Sequence, residues 1–225
     1  MTERFSESQF YRDRVQQRRK ATKAVAFIER GKWAGIPEKH LRIKQDEFRK
    51  LLYDNFYGGA KQTKELVEYV YVHPENICNT SFITIDGGDV PSRKKAGYTL
   101  MFRIILCNKW GYHVQCSHLL SLFQAGFAKD LERAETIKDL QKYDVLFISE
   151  INQKIVDSRA MIGSYFDEIL DTRADRGKVT IISFASPISQ SSRLGAEFGD
   201  YLDRLSSAEK SCEDILRIRV RKTDA

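Results

Sequence analysis

Two apolar runs, DVLFIS at residues 144–149 and VTIISF at residues 179–184, determine the fold class of this 225-residue chain. Both are too apolar for a strand with one face in water, so we expect them to be buried on both faces. Two more runs of strand length, SFITID at residues 81–86 and YHVQC at residues 112–116, precede them. Segments with helical spacing separate the runs, which is typical of a parallel sheet with crossover helices. We therefore predict an α/β fold in which helices cover both faces of a parallel sheet.

The remaining elements follow from apolar spacing and from the positions of glycine and proline. Helices between and after these strands are predicted over residues 96–110, 117–123, 128–142, 154–173 and 191–206. Helices before the first strand are predicted over residues 14–29, 44–56 and 63–72. A last strand is predicted over residues 215–221, where Leu216, Ile218 and Val220 alternate with Arg217, Arg219 and Arg221. That alternation predicts a half-exposed strand with a basic outer face.

Composition excludes several classes of protein. None of the four cysteines forms a C-x-x-C pair, and the histidines do not show metal-ligand spacing, so we predict neither a disulfide framework nor a metal site. No apolar run reaches the 18 or so residues of a membrane span, and the N-terminus is charged where a secretion signal would be apolar. We expect a soluble, cytoplasmic protein that makes no contact with a membrane.

The net charge of +6 is concentrated at the N-terminus. Residues 1–34 hold nine basic and four acidic residues, or +5, which leaves +1 for residues 35–225. We predict a basic helical arm over residues 1–34 and an α/β domain over residues 35–225. Such an arm suits nucleic acid or an acidic protein partner, although a solvated helix has the same composition. The candidate binding residues in the arm are Arg12, Arg14, Arg18, Arg19 and Lys20.

The turn after the first predicted strand reads GGDVPSRKK over residues 87–95. A phosphate-binding loop reads G-x-x-x-x-G-K-S/T, where the second glycine lets the backbone wrap a phosphate and the hydroxyl holds Mg²⁺. Counted from Gly88, the lysine is present as Lys94. Arg93 stands at the second glycine, and Lys95 stands at the hydroxyl. The loop keeps a cationic centre between a strand and a helix but lacks the residues that wrap phosphate and bind magnesium.

The ends of the third and fourth predicted strands supply the other candidate site residues. In nucleoside triphosphatases, the third strand ends in an acid that orients magnesium-bound water, followed by an acid that polarises the attacking water. Here Ser149 stands at the first position and Glu150 at the second. Ser183, near the end of the fourth strand, stands where a residue sensing the γ-phosphate would lie. A polar residue at the end of a buried strand is also common without any such role.

Taken in order, these segments resemble the DnaC/IstB-like AAA+ ATPases, the helicase loaders of bacteria and phages. The likeness covers roughly residues 34–206. It rests on AGIPEKHL (34–41), the strand with its loop, GYHVQCSHLLSLF (111–123), YDVLFISEI (143–151), FDEILDTRADRGKVTIISFASP (166–187) and LGAEFGDYLDRL (194–205). The resemblance implies an AAA+ fold, ATP with magnesium as the family's cofactor, and head-to-tail packing of subunits in which Arg204 acts as the arginine finger.

The resemblance also implies binding partners. The family's N-terminal extension binds a replicative hexameric helicase, and the basic arm matches that extension by position. A helical insertion in the family contacts single-stranded DNA, and by position this is residues 123–142, with Phe123, Phe127 and Lys129 as candidates. Those aromatic residues are equally compatible with a place in the core.

The departures from the family pattern lead to our main functional hypothesis. Lys95 replaces the hydroxyl that holds magnesium, and Ser149 replaces the first acid. Their loss removes the metal that neutralises charge in phosphoryl transfer. We expect a degenerate AAA+ module of phage or mobile-element replication that recruits or occludes a helicase with little or no ATP hydrolysis. One alternative is an active helicase loader or an IstB/TnsC-like transposition regulator that uses Lys94, Glu150 and Arg204. Another is a nucleic-acid-binding adaptor that uses the arm and the C-terminal arginines.

Overall fold

The computed structural model describes residues 16, 20–52, 60–125, 130–151, 168–184 and 215–222. Five strands in these residues form one sheet in the order β2-β3-β4-β1-β5. Every neighbouring pair is parallel, so each connection must cross over a face of the sheet. The strands are β1 (Phe82–Gly87), β2 (Gly111–Gln115), β3 (Val145–Ile151), β4 (Val179–Phe184) and β5 (Ile215–Val220). Because parallel strands all end at one edge, the turn after β1 lies beside the ends of β3, β4 and β5.

Helices cover both faces of this sheet. They are α1 (20–33), α2 (Gln45–Leu51), α3 (Ala60–Tyr71), α4 (Pro74–Ile77), α5 (Val90–Leu106), α6 (Cys116–Ala125), α7 (Asp130–Lys142) and α8 (168–175), with a 3₁₀ turn at Glu38–His40. One apolar cluster joins Ile83 and Phe147 of the sheet to α2, α3 and α5. A second cluster joins Phe82 and Leu146, which point the other way, to α6, α7 and α8. The predicted fold class, a parallel sheet between layers of helices, is confirmed.

The predicted strands agree with the structure to within two residues at each end. All residues of β3 and β4 are buried, as their continuous apolar character predicts. In β5, Ile218 and Val220 are buried while Arg219 is partly exposed. Buried and partly exposed side chains alternate in β5 because this strand lies at the edge of the sheet and pairs only with β1 among the described strands.

The start of α5 differs from the prediction and changes the interpretation of the turn after β1. The helix begins at Val90 and not at Ala96, and it ends at Leu106 and not at Trp110. Asp89 caps the helix, and Pro91 in its first turn is well placed because a helix start leaves N–H groups without partners anyway. The segment predicted as a loop over residues 90–95 is therefore the first turns of a helix.

The second helix is shorter than predicted. It ends at Leu51 and not at Phe56, because Leu52 turns extended and forms a bridge with Val220. The Arg221 amide also donates a hydrogen bond to the Leu51 carbonyl. Residues 53–59 lie outside the described residues. Pairing with the end of β5 thus ends this helix at Leu51.

Further differences concern the helices at either end of the sheet region. The first helix runs to Trp33, and Phe27 and Ile28 pack against the apolar cluster beneath α5. Of the helix predicted over residues 154–173, the structure describes residues 168–175, which are helical. The helix predicted over residues 191–206 lies outside the described residues. In the part of the chain that the structure describes, none of the helices is long and apolar enough to span a bilayer.

Candidate nucleotide-binding edge

The turn between β1 and α5 is short, and the helix that follows is capped by its own chain. Gly87 and Gly88 have φ angles of 77° and 52°, in the left-handed region that favours glycine. The next residue, Asp89, accepts hydrogen bonds from the Ser92 amide at 2.9 Å and the Ser92 hydroxyl at 2.5 Å. These bonds from Ser92 hold the pKa of the Asp89 carboxyl below its usual value. A carboxylate of the chain itself thus occupies the helix N-terminus, a position that suits a bound phosphate.

The two glycines of this turn are required by the approach of β5. A Cβ atom on Gly87 would lie 2.8 Å from the Val220 carbonyl oxygen, and one on Gly88 would lie 2.7 Å from that of Arg221. Both distances are shorter than real Cβ contacts, and both neighbours are backbone atoms that cannot easily move away. Packing of the chain therefore accounts for the glycine pair that the sequence suggested for phosphate binding.

Arg93 fills the centre of this edge. Its side chain is 4% exposed and forms a two-pronged ion pair with Glu150, with Nε to Oε1 at 3.1 Å and Nη2 to Oε2 at 2.7 Å. Its Nη1 donates to the carbonyl oxygens of Gly87 and Gly88, at 2.9 and 3.1 Å. A phosphate-binding loop turns backbone N–H groups toward its anion. Here carbonyl oxygens of the loop face a guanidinium instead.

Glu150 is held in an unusual backbone conformation. Its φ angle is 63°, and the pairing of β3 with β4 shifts register between Ile148 and Ile151. The Glu150 amide donates to Ser183 Oγ at 3.0 Å, and Ser183 Oγ lies 3.3 Å from Glu150 Oε1. A positive φ costs a non-glycine residue free energy and persists only where neighbouring contacts impose it. The bulge, Ser183 and Arg93 together supply those contacts, and they aim the Glu150 carboxylate at the turn after β1.

Ser149 is fully buried and belongs to a separate polar chain. Its Oγ lies 2.9 Å from His113 Nε2, and His113 Nδ1 lies 3.3 Å from the Tyr98 hydroxyl. Burial, aided by the positive charge of Lys94, lowers the pKa of His113 to about 4. The ring is therefore neutral near pH 7, with one nitrogen donating and the other accepting. No carboxylate stands at the position of the first acid, and the serine hydroxyl there is already engaged.

The two lysines after Arg93 lie in different surroundings. Lys95 Nζ is 3.5 Å from Glu47 Oε2 of α2, in a partly exposed ion pair. Lys94 is also partly exposed, and it forms no ion pair with any of the residues described. Among the described residues, Lys94 is thus the cation of the RKK sequence without an ion-pair partner.

At the far end of this edge, Arg219 of β5 forms a two-pronged ion pair with Asp86 of β1. Both N–O distances are 3.0 Å, and Asp86 is 7% exposed. The sequence predicted an outward basic stripe on β5. Arg219 is partly exposed as predicted, and an acid on the neighbouring strand neutralises its charge.

The structure therefore brings Gly88, Arg93, Ser149, Glu150 and Ser183 together at one edge, with Lys94 and Lys95 beside them. Sequence reasoning missed Asp89, His113 and Tyr98 as members of this group. The D-V-P-S sequence at residues 89–92 is a helix-start signal that identifies Asp89, whereas nothing in the sequence pairs His113 with Ser149.

For the other binding and catalytic residues predicted from the sequence, the structure describes no contact with this edge. Lys20 is exposed on α1, and Phe123 lies in the α6 helix. Arg12, Arg14, Arg18, Arg19, Phe127, Lys129 and Arg204 lie outside the described residues. Their roles stay predictions from the sequence and from the family resemblance.

No protein-family model matches this sequence, and neither does any curated protein. Among solved structures, the chain resembles DnaI with a TM-score of 0.55 and 12% identity, over 83% of this chain and 92% of DnaI. It also resembles the replication initiator DnaA bound to AMPPCP and single-stranded DNA, with a TM-score of 0.51 and 13% identity over 69% of this chain. AMPPCP-bound DnaA from Aquifex aeolicus gives a TM-score of 0.51 and 13% identity over 75% of this chain. The chain spans about half the length of the DnaA structures, at 46% and 50%. Its fold is the AAA+ α/β fold seen in DnaI and DnaA.

Proposed function

We propose that this chain is an AAA+-type protein of DNA replication that binds a replicative hexameric helicase and does not depend on a cycle of ATP hydrolysis. The observation that carries the proposal is the buried Arg93–Glu150 pair, which also holds the carbonyl groups of the turn after β1. A guanidinium held at this turn would compete with a phosphate for the same space and supports a loss of nucleotide binding. The ion pair also engages the Glu150 carboxylate, which in an active ATPase would polarise the attacking water.

Phosphoryl transfer needs parts that this edge does not offer. The magnesium ion requires a hydroxyl and an acid, and the chain has Lys95 and a fully buried Ser149 at those positions. Releasing Glu150 for catalysis would break a buried ion pair, which costs about 3–5 kcal/mol when one partner is left alone. We infer that hydrolysis is weak or lost, while the surfaces of the fold remain available for binding.

The helicase part of the proposal rests on the resemblance to helicase loaders and on the likeness of the fold to DnaI. The basic arm has the charge expected of a segment that meets an acidic protein surface, with an excess of +5 over residues 1–34. Arg204 as an arginine finger between subunits, and single-stranded DNA contact through Phe123, Phe127 and Lys129, remain parts of the same proposal.

The test is native mass spectrometry of the full chain mixed with a purified replicative hexameric helicase, with and without ATP and magnesium. We expect a complex of equal abundance in both conditions. Reversal of Arg12, Arg14, Arg18 and Arg19 to glutamate should abolish it, whereas reversal of the exposed Lys39 and Lys50 should not. The proposal is wrong if the complex requires ATP, or if it survives the arm variant unchanged.

A second function, an active ATPase, is favoured by Lys94, which is partly exposed and without an ion-pair partner among the described residues. In an active enzyme it would contact the β- and γ-phosphates. Its signature is ATP turnover that Lys94→Ala removes and the matched surface variant Lys50→Ala retains. Turnover of that kind would replace the first proposal with this one.

A further inference from the structure

A second surface lies at the opposite edge of the sheet, where the strands begin. We define the junction surface by Arg30 and Trp33 of α1, Lys109 and Trp110 before β2, and Lys178 before β4. The chain contains two tryptophans, and both are on this surface. Trp33 is 80% exposed and Trp110 is 53% exposed. A single exposed apolar side chain is common, whereas a contiguous exposed apolar patch rimmed by polar residues marks an interaction site.

Two members of the junction surface, Arg30 and Trp110, are in direct contact. The Arg30 guanidinium lies 4.9 Å from the centre of the Trp110 ring, and its Nη1 donates to Asn108 Oδ1 at 2.5 Å. Trp33 follows Arg30 by one turn of the same helix, so the two side chains lie on neighbouring parts of one face. The Trp110 amide donates to Asp144 Oδ2 at 2.8 Å, which fixes the loop that carries the second indole.

Positive charge is in excess around the two indoles. Residues 20–33 hold Lys20, Lys23, Arg30 and Lys32 against a single acid, Glu29, which pairs with Lys32 at 3.2 Å. Burial lowers the pKa of Lys178. The attraction of Asp144 is the next largest influence and opposes this, while weaker repulsion from Arg173, Arg176 and Lys109 adds to the lowering. An anion placed on this surface would relieve that repulsion.

We propose that the junction surface binds single-stranded nucleic acid, with its bases stacked on Trp33 and Trp110 and its phosphates held by Arg30, Lys109 and Lys178. Exposed aromatic faces set among cations are what single strands require, because every base can stack and every linkage carries a charge. A duplex hides its base faces, so this surface prefers a single strand. The inference does not rest on the helicase proposal, since it concerns the chain alone and without nucleotide.

This surface differs from the segment at residues 123–142 that the family resemblance assigns to single-stranded DNA. That segment belongs to α6 and α7 and follows β2, whereas Trp110 precedes β2 and Trp33 ends α1. The two assignments make different predictions for the same variants. They can therefore be separated with one set of proteins.

The test uses the full chain and a fluorescein-labelled dT20 oligonucleotide, with anisotropy and tryptophan fluorescence as readouts. We expect the intrinsic fluorescence to be quenched on binding. Trp33→Ala and Trp110→Ala should each weaken affinity about tenfold, and Trp110→Phe should restore most of the affinity because it keeps an aromatic face. The substitutions Lys109→Gln and Lys178→Gln should lower the salt slope by about 0.7 for each phosphate that the protein no longer neutralises.

Matched controls separate stacking from general charge attraction and from misfolding. Val72→Ala removes another exposed apolar side chain, and Lys50→Gln removes another exposed cation; neither should alter affinity or quenching. Circular dichroism and urea unfolding establish that each variant is folded. The proposal is overturned if dT20 does not bind at 50 mM salt, if a duplex binds equally well, or if the tryptophan variants bind dT20 like the wild type. In the last case, loss of helicase binding by those variants would identify a protein-contact surface instead.

Discussion

The two edges of the sheet differ in whether their charged groups are paired within the chain or exposed. Where the strands end, Arg93, Glu150 and Asp89 are each held by partners within the chain, and the ion pair is almost fully buried. Where the strands begin, Arg30 and Lys109 lie beside two exposed indoles, with few acids to neutralise them. The edge where the strands end is thus closed by internal contacts, whereas the edge where they begin exposes two indoles beside several cations.

This difference shows why fold alone does not determine function. The sheet order is that of the fold shared with DnaI and DnaA, yet the charged groups where the strands end satisfy one another. The internal contacts where the strands end contribute to stability, and the exposed positive charge where the strands begin is the basis of the proposed binding. The predictions below separate those two roles.

The largest expected effect comes from Arg93→Met. The variant leaves the Glu150 carboxylate buried without its partner and releases the Gly87 and Gly88 carbonyls. We expect a loss of about 3–5 kcal/mol in the free energy of unfolding, measured with urea. Lys95→Met breaks the partly exposed pair with Glu47 and should cost less than about 1 kcal/mol.

A double variant sharpens this result. Adding Glu150→Gln to Arg93→Met removes the stranded charge and should restore at least half of the lost stability. A loss below about 1 kcal/mol for Arg93→Met alone would show that the pair does not close this edge.

The next largest effect is expected for Gly88→Ala. The new Cβ would meet the Arg221 carbonyl in addition to straining a residue at a φ of 52°, so we expect a loss of about 2–3 kcal/mol. Gly177→Ala is the matched control, because Gly177 has a φ of 61° but its Cβ would meet no atom within 4 Å. Equal losses in the two variants would contradict a tight contact between this turn and β5.

Acidification provides an intermediate test. Burial lowers the pKa of His113 and of His40 to about 4, below the value of about 6.5 in an unfolded chain. The unfolded chain therefore binds more protons between pH 6.5 and pH 4, and stability falls as the pH falls through that window. We expect a loss of about 2 kcal/mol from His113 between pH 6.5 and pH 4.5, with a smaller addition from the less buried His40, measured by urea unfolding.

The contribution of His113 is isolated by substitution. His113→Gln keeps a polar partner for Ser149 and should make the pH profile shallower, whereas His118→Gln, an exposed position on α6, should leave it unchanged. A profile that is flat from about pH 6.5 to about pH 4.5 in the wild type would contradict a buried neutral His113.

The smallest effect is expected for Asp89→Ala. Loss of the helix cap should lower the free energy of unfolding by about 1 kcal/mol, and Asp89→Asn should retain most of it because the amide oxygen can still cap the helix. No change in Asp89→Ala would mean that the first turn of α5 does not need the carboxylate.

Much of the fold is predictable from sequence because the sheet consists of continuous apolar runs. The runs at residues 144–149 and 179–184 can be buried only between two layers, and strands are present there as predicted. The predicted start of α5 is wrong. The prediction treats residues 87–95 as a phosphate-binding loop and gives too little weight to Asp89 and Pro91, which are typical of a helix start. The early end of α2 depends on pairing with Val220, which no local pattern reveals.

The sequence predicts which residues lie at the candidate edge, but it does not predict which of them are in contact. Topology places the ends of β1, β3 and β4 together, so Arg93, Glu150 and Ser183 are expected to lie near one another. The ion pair itself depends on the early start of α5 and on the bulge at Glu150, and both are consequences of tertiary packing. The junction surface is not apparent from sequence, because Trp33 and Trp110 lie 77 positions apart.

The most direct test of the closed edge is isothermal titration of the wild-type chain with ATP and magnesium, followed by the same titration of Lys94→Ala. Our account predicts no saturable binding by either protein at concentrations up to the millimolar range. Micromolar binding by the wild type that disappears in Lys94→Ala would contradict it, because the triphosphate would then occupy the position held by Arg93 and Asp89.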